Sequence, residues 1–277
     1  MEKEATCALK NAEQKDNALK LLERASVVLE DIASSNEPKG IREISASTKL
    51  PVATVYRIAN KLCHVGWLTQ ENDTKYRIGL KAYLVGKEYN QIEDLRKIAS
   101  YTMQKTSNVL QQPVNLMIRD GKEAFLIEQT SCKLVYSTLS PIGSRRPLYL
   151  TACGKVIMSD MLPTEIEMML DAFDYHPYTP YSPTDKETIR KQLEQIRKNG
   201  WALDNQEAML GAFCVATGIR RKGRIIAGLS VTSVIAHENN LELYVEHIKK
   251  AASEIEKNLE KYWGDQNNRD GSCQEDL

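Results

Sequence analysis

Between Val52 and Cys63, residues placed about 100° apart put Val52, Val55, Ile58, Ala59 and Leu62 in one arc and centre Ala53, Arg57 and Asn60 on the opposite side. Thr54, Tyr56 and Lys61 flank that second face. A helix divided in this way must lay its apolar stripe on a small core and offer a polar, cationic surface to a partner. Pro51 suits its first position, because the N–H that proline lacks would have no acceptor there. Upstream, Leu19, Leu22, Ala25, Val28, Leu29 and Ile32 keep helical spacing between Asn17 and Ser34, Glu37-Pro38-Lys39-Gly40 stops that helix, and a short second one follows from Ile41 to Ser47. Downstream, Trp67-Leu68-Thr69 and Lys75-Tyr76-Arg77-Ile78-Gly79 are β-prone runs about the polar tip Glu71-Asn72-Asp73-Thr74, which reads as a hairpin. Three helices and a hairpin predict a winged helix-turn-helix.

Charge supports a partner for this segment alone. The chain balances 37 Lys and Arg against 37 Asp and Glu, yet from Lys39 to Lys81 eight cations face three acids, a local surplus of five. A basic block beside an acidic body suits a polyanion. On the third helix, Ala53 permits close approach to a groove, Arg57 has the fork that bonds guanine, and Thr54, Tyr56, Asn60 and Lys61 supply hydrogen bonds or phosphate contacts. Lys75 and Arg77 on the wing would lie near the sugar-phosphate backbone. These eight residues form the expected surface for double-stranded DNA. A solvated face on a protein-interaction module that never touches DNA is the competing reading.

Leu80 to Tyr89 reads as a connecting helix and Ile92 to Leu110 as a longer amphipathic one, with a boundary near Asn90. Past Pro113 the period changes: Val114, Leu116 and Ile118 alternate, Asp120-Gly121 makes a turn, and Ala124–Thr130 and Val135–Leu139 continue a sheet. Thr151 can cap a helix from Ala152 to Met161, and the capping boxes Thr164-x-x-Glu167 and Thr184-x-x-Glu187 start two more, the second ending at Asn199-Gly200. Strands Trp201–Asp204, Cys214–Arg220 and Arg224–Ser233 precede a closing helix from Leu241 to Tyr262. The expected organisation is a flexible segment 1–16, a winged domain 17–80, a linker helix 81–91, an α/β domain 92–263 and a disordered tail 264–277.

No run of 18 apolar residues occurs, and the first thirty residues are studded with charge, which predicts a cytoplasmic protein with no membrane partner. The six cysteines are scattered without paired spacing, so neither a metal site nor a cofactor is expected. In the strand Arg224–Ser233, Ile225, Ala227, Leu229 and Val231 share an apolar face, while Gly228, Ser230 and Thr232 form a small polar one. Helix-start N–H groups at Ala152 to Gly154 suit a carboxylate. Cys153 at that position could be an activated nucleophile, but no motif links any of the four histidines to it, so no catalytic residue is expected. A redox sensor using Cys153 or Cys214 is the stronger alternative.

Gly40-Ile41-Arg42-Glu43-Ile44-Ser45, Leu50-Pro51-Val52-Ala53-Thr54-Val55-Tyr56-Arg57-Ile58, and Gly66-Trp67-Leu68 through Tyr76-Arg77-Ile78-Gly79-Leu80 resemble the DNA-binding domain of the IclR family of bacterial transcriptional regulators. Pro147-Leu148-Tyr149-Leu150-Thr151-Ala152-Cys153-Gly154-Lys155, Gly200 through Glu207, Cys214-Val215-Ala216 and Gly223 through Val231 resemble its effector domain, in order and spacing. Tyr149-Leu150 stands where His-Ala is usual, and Thr217-Gly218-Ile219-Arg220 replaces a frequent Ala-Pro-Val stretch. The resemblance implies an α+β chain: an N-terminal winged helix-turn-helix domain, a helical linker and a GAF-like α/β effector-binding domain. It also implies a small organic effector, a carboxylate, held by the backbone at Ala152, Cys153 and Gly154 and by the side chains of Asp204, Cys214, Ser230 and Thr232. The family pattern further implies a homodimer or homotetramer on operator DNA.

Overall fold

The computed structural model describes residues 20–35, 37–71, 74–87, 90–130, 140–234 and 239–272. The expected flexible segment 1–16 and the strand at Val135–Leu139 lie outside them. The chain forms two compact units that part between Asn90 and Gln91.

In the first unit, helix α1 (20–33) is followed by strand β1 (Lys39–Gly40) and helices α2 (Ile41–Thr48) and α3 (Val52–His64). Strands β2 (Leu68–Glu71) and β3 (Lys75–Ile78) make the wing, and helix α4 (Leu80–Gly86) comes last. Val28, Ile32, Ile44, Val55, Ile58, Ala59, Leu68 and Tyr76 close the core. The sheet has the order β1-β3-β2, and the two-residue β1 is too short to leave a period in the sequence. Two expectations need correcting. Pro51 is the cap rather than the first helical residue, its carbonyl accepting from the N–H groups of Thr54 and Val55 at 2.9 and 3.0 Å. Val52, expected in the buried stripe, is 50% exposed, because at the helix start it lies beyond the edge of the small core.

The second unit is built on an antiparallel six-stranded sheet of order β6-β5-β4-β9-β8-β7: β4 (Val114–Asp120), β5 (Glu123–Gln129), β6 (Arg145–Pro147), β7 (Ala202–Asn205), β8 (Ala212–Arg221) and β9 (Arg224–Val234). Helices α5 (Asn90–Leu110) and α9 (Leu241–Ser272) cover one face, packing Leu95, Ala99, Met103, Tyr244, Ile248 and Ile255 onto Val215, Leu229 and Val231. The other face carries a 3-10 turn (Leu148–Leu150) and helices α6 (Ala152–Ser159), α7 (Pro163–Ala172) and α8 (Lys186–Asn199). The α+β architecture expected from the sequence is the one adopted.

Local differences have local causes. Helix α7 begins at Pro163, whose fixed φ suits a first turn, so Leu162 is the cap and Glu165 accepts from its N–H at 3.2 Å; Thr164 lies inside the helix. Asp185, not Thr184, caps α8, accepting from the Thr188 N–H at 2.8 Å. In β9 the pairing steps from Ile219–Ala227 to Arg220–Ile225, so Ile226 is an extra residue. That bulge turns Ile225 away from the expected face and onto the helices α6 to α8. Helix α9 continues to Ser272, through the stretch expected as a tail: Gly264 weakens a helix but retains its N–H, and no proline follows before Ser272. Residues 273–277 lie outside the described ones.

Candidate functional site

On α3, Ala53, Tyr56 (55% exposed), Arg57 and Lys61 face solvent, and no described residue forms an ion pair with Arg57 or Lys61. Thr54 is half-buried. Asn60 is also half-buried and accepts a hydrogen bond from the Tyr76 hydroxyl at 3.2 Å, which ties the helix to the wing. On the wing, Lys75 and Arg77 are exposed, but the Arg77 guanidinium bonds Glu71 at 2.9 Å. Such an exposed pair is worth about 0–1 kcal/mol and yields readily to a phosphate. Lys39 bonds Asp31 at 2.9 Å, so part of the local surplus of positive charge is neutralised within the unit.

In the second unit, six of the seven expected effector residues line one cavity of about 120 Å³: Ala152, Cys153, Asp204, Cys214, Ser230 and Thr232. They come from four places in the chain, α6, β7, β8 and β9, and meet because the three strands pair side by side and α6 starts against the middle of β9. Gly228 permits that approach, since a Cβ there would lie 2.7 Å from that of Cys153. Gly154 is the exception. Its N–H is taken by the Thr151 hydroxyl at 3.0 Å, and a Cβ on it would lie 2.2 Å from the Leu148 carbonyl oxygen, so it packs rather than lines. The first-turn N–H groups of Ala152 and Cys153 keep no intrahelical acceptor.

The cavity also takes residues the sequence reading missed, among them Asn115, Met117, Gln129, Arg146, Thr151 and Met209. Asn115 and Met117 were legible in principle, because alternation places them on the strand face opposite Val114 and Leu116. The Asn115 amide donates to the Thr232 hydroxyl at 2.9 Å and to Ser230 at 3.5 Å, and Thr232 in turn meets the Cys214 sulfur at 3.3 Å.

Asp204, 3% exposed, has a double part. Its Oδ1 accepts from the N–H groups of Glu207 and Ala208 at 2.8 and 3.3 Å, the turn-capping role that competes with ligand binding. Burial pushes its carboxyl up to about 6, against the pull of the Lys155 ammonium and with the help of Glu207. Lys155, 1% exposed, donates to both oxygens of Glu207 at 2.8 and 2.9 Å. Burial raises the Cys153 thiol to about 12 and raises Cys214 as well. Both therefore stay protonated at neutral pH, and the helix start does not make Cys153 the activated thiol considered above. Among the described residues no cluster of three metal-ligating side chains occurs, and no helix is long and apolar enough to cross a membrane.

A winged helix whose third helix exposes Arg57 and Lys61, and an α/β domain holding a small cavity lined by both apolar and polar side chains, are the parts of a ligand-responsive transcriptional regulator. The sequence matches the family described as "Bacterial transcriptional regulator IclR C-terminal" over residues 87–257 and the IclR helix-turn-helix domain over residues 21–72. The chain belongs to the IclR family: it is a DNA-binding transcriptional regulator with a C-terminal effector-binding domain, in a family of regulators rather than enzymes. The transcriptional repressor AllR of Escherichia coli is 29% identical over 213 residues, covering 76% of this chain and 79% of AllR. The crystal structure of Thermotoga maritima IclR is 27% identical, with a TM-score of 0.69 over 87% of this chain and 99% of that one. An IclR homologue of Microbacterium hydrocarbonoxydans, complexed with 4-hydroxybenzoate, shares the fold at a TM-score of 0.76 and 24% identity, covering 87% of this chain and 99% of that one.

Proposed function

We propose that α3 reads operator DNA through Ala53, Thr54, Tyr56, Arg57, Asn60 and Lys61, with Lys75 and Arg77 on the backbone, and that the cavity binds a small organic acid. The observation that carries the effector site is the convergence of Ala152, Cys153, Asp204, Cys214, Ser230 and Thr232 on one cavity. Helix-start N–H groups and strand hydroxyls there are donors, which suit a carboxylate. The 4-hydroxybenzoate bound by the Microbacterium homologue supports the same ligand class. Gly154 takes a supporting place, since its N–H is already used by Thr151.

The protein acts as a homodimer or homotetramer, because one helix-turn-helix covers a small footprint and paired copies match half-sites one or more helical turns apart. Effector binding favours one arrangement of the paired reading helices over another. It changes DNA affinity only by its differential affinity for those arrangements, typically about 1–3 kcal/mol or roughly 5- to 150-fold. The AllR relatives, named repressors, favour repression as the mode of action. The test is a footprint on the DNA beside the protein's own gene, at two salt concentrations and with a panel of small carboxylates. The expected result is a salt-sensitive footprint over a symmetric or repeated site, altered by one of the acids. A folded protein that gives no footprint at low salt removes the DNA-reading proposal.

A further inference from the structure

The floor of the cavity is organised by a residue outside the expected ligand set. The sheet register places Gln129, Asn115 and Ser230 opposite one another across β5, β4 and β9, and places Thr232 opposite Cys214 on β8. Asn115 is buried, and its two amide hydrogens are both spent on the floor hydroxyls, at 2.9 Å to Thr232 and 3.5 Å to Ser230. Its carbonyl oxygen accepts from the Gln129 side-chain amide, which holds the Asn115 amide in that sense.

A hydroxyl carries one hydrogen and two lone pairs. Once Ser230 and Thr232 accept from Asn115, each has its hydrogen left to give. Among the described residues, Ser230 also meets the Cys153 sulfur and Thr232 the Cys214 sulfur, and sulfur is a weak acceptor. The N–H groups at the start of α6 are donors as well. We infer that Asn115 is a specificity-determining positioning residue: by turning Ser230 and Thr232 into donors, it makes the cavity floor select a carboxylate over an uncharged amide of the same shape. This rests on the acid-binding reading above and adds the residue that sets its preference. A primary amide would bring its own N–H group against the donors of the floor, and unmatched buried donors are costly.

The experiment is isothermal titration of the full-length wild type and two variants with acetate, lactate, pyruvate and 4-hydroxybenzoate, each beside its primary amide. For the acid that binds, the wild type should prefer the carboxylate by about tenfold or more. Asn115→Ala frees the hydroxyls to turn, and the ratio should fall to within about threefold of unity. Asn115→Asp accepts from both hydroxyls, exposes their lone pairs and should reverse the preference. The nearly isosteric Asn115→Asp carries the test if Asn115→Ala does not fold, as judged by thermal melting. General loosening of the domain would weaken acid and amide together and leave the ratio unmoved. A wild-type ratio retained in a folded Asn115 variant overturns the inference while leaving acid binding intact. A folded wild type that binds none of the acids overturns the acid-binding reading itself, and the inference with it.

Discussion

Replacing Lys155 by methionine tests the charge balance beneath the cavity. The lysine stem is buried, and its ammonium group donates to both Glu207 oxygens, at 2.8 and 2.9 Å, and to the Leu203 carbonyl. Methionine keeps most of the volume, so the packing cost is small. What is lost is the cation that favours the ionised forms of Glu207 and Asp204, both buried carboxyls that burial otherwise pushes up. Breaking a buried pair from one side costs about 3–5 kcal/mol, because a charge is left without compensation. At roughly 2–4 °C per kcal/mol for a domain of this size, the melting temperature of the second unit should fall by about 6–20 °C at pH 8. Protonation of the stranded carboxyls relieves the penalty, so the deficit should shrink as the pH is lowered to 5. Thermal melts of the wild type, Lys155→Met and the double variant Lys155→Met with Glu207→Gln, taken across that range, make the check. The double variant should recover much of the loss. A single-variant loss under about 1 kcal/mol at pH 8, or the same loss at pH 5 and pH 8, would refute the argument that an uncompensated buried charge dominates.

Arg57→Ala and Lys61→Ala should each weaken operator binding and lower the slope of log affinity against log salt by about one for a lost phosphate contact; equal slopes in filter binding would place both residues off the DNA. Gly228→Ala should cost about 1–3 kcal/mol in urea unfolding and reduce effector binding, since the added methyl would lie 2.7 Å from the Cys153 Cβ; a variant as stable as the wild type would mean that α6 can shift. For Asp204 the folded carboxyl is raised from 3.8 to about 6, so its contribution is fully present below about pH 4 and is lost as the pH rises through 6. A rise of that size corresponds to about 3 kcal/mol. Asp204→Asn, which can keep the cap through its side-chain oxygen, should remove that part of the pH dependence, and parallel stability curves from pH 4 to 7 would show that Asp204 is not strained in its ionised form.

Helix α3 was legible because its buried stripe and its exposed cations both follow the helical period. Val55, Ile58 and Ala59 had to face the core, which left Arg57 and Lys61 outward wherever the helix sat. The ends of elements were less legible. Asp185 displaced Thr184 as a cap, Leu162 displaced Thr164, and one bulged residue, Ile226, turned Ile225 to the other face, because each outcome hangs on small differences between neighbouring residues.

By itself the sequence determined most of the helices and strands, most of their apolar faces, and where the cationic surface lies, since periodicity and local charge require no knowledge of distant partners. Tertiary structure alone decided that Lys155 pairs with Glu207 in the core, that Gly154 packs rather than lines the cavity, and that Asn115 and Gln129 stand beneath Ser230. Those facts depend on strand register and on the close approach of α6 to β9. Register joins residues far apart in the chain, so no local pattern carries it.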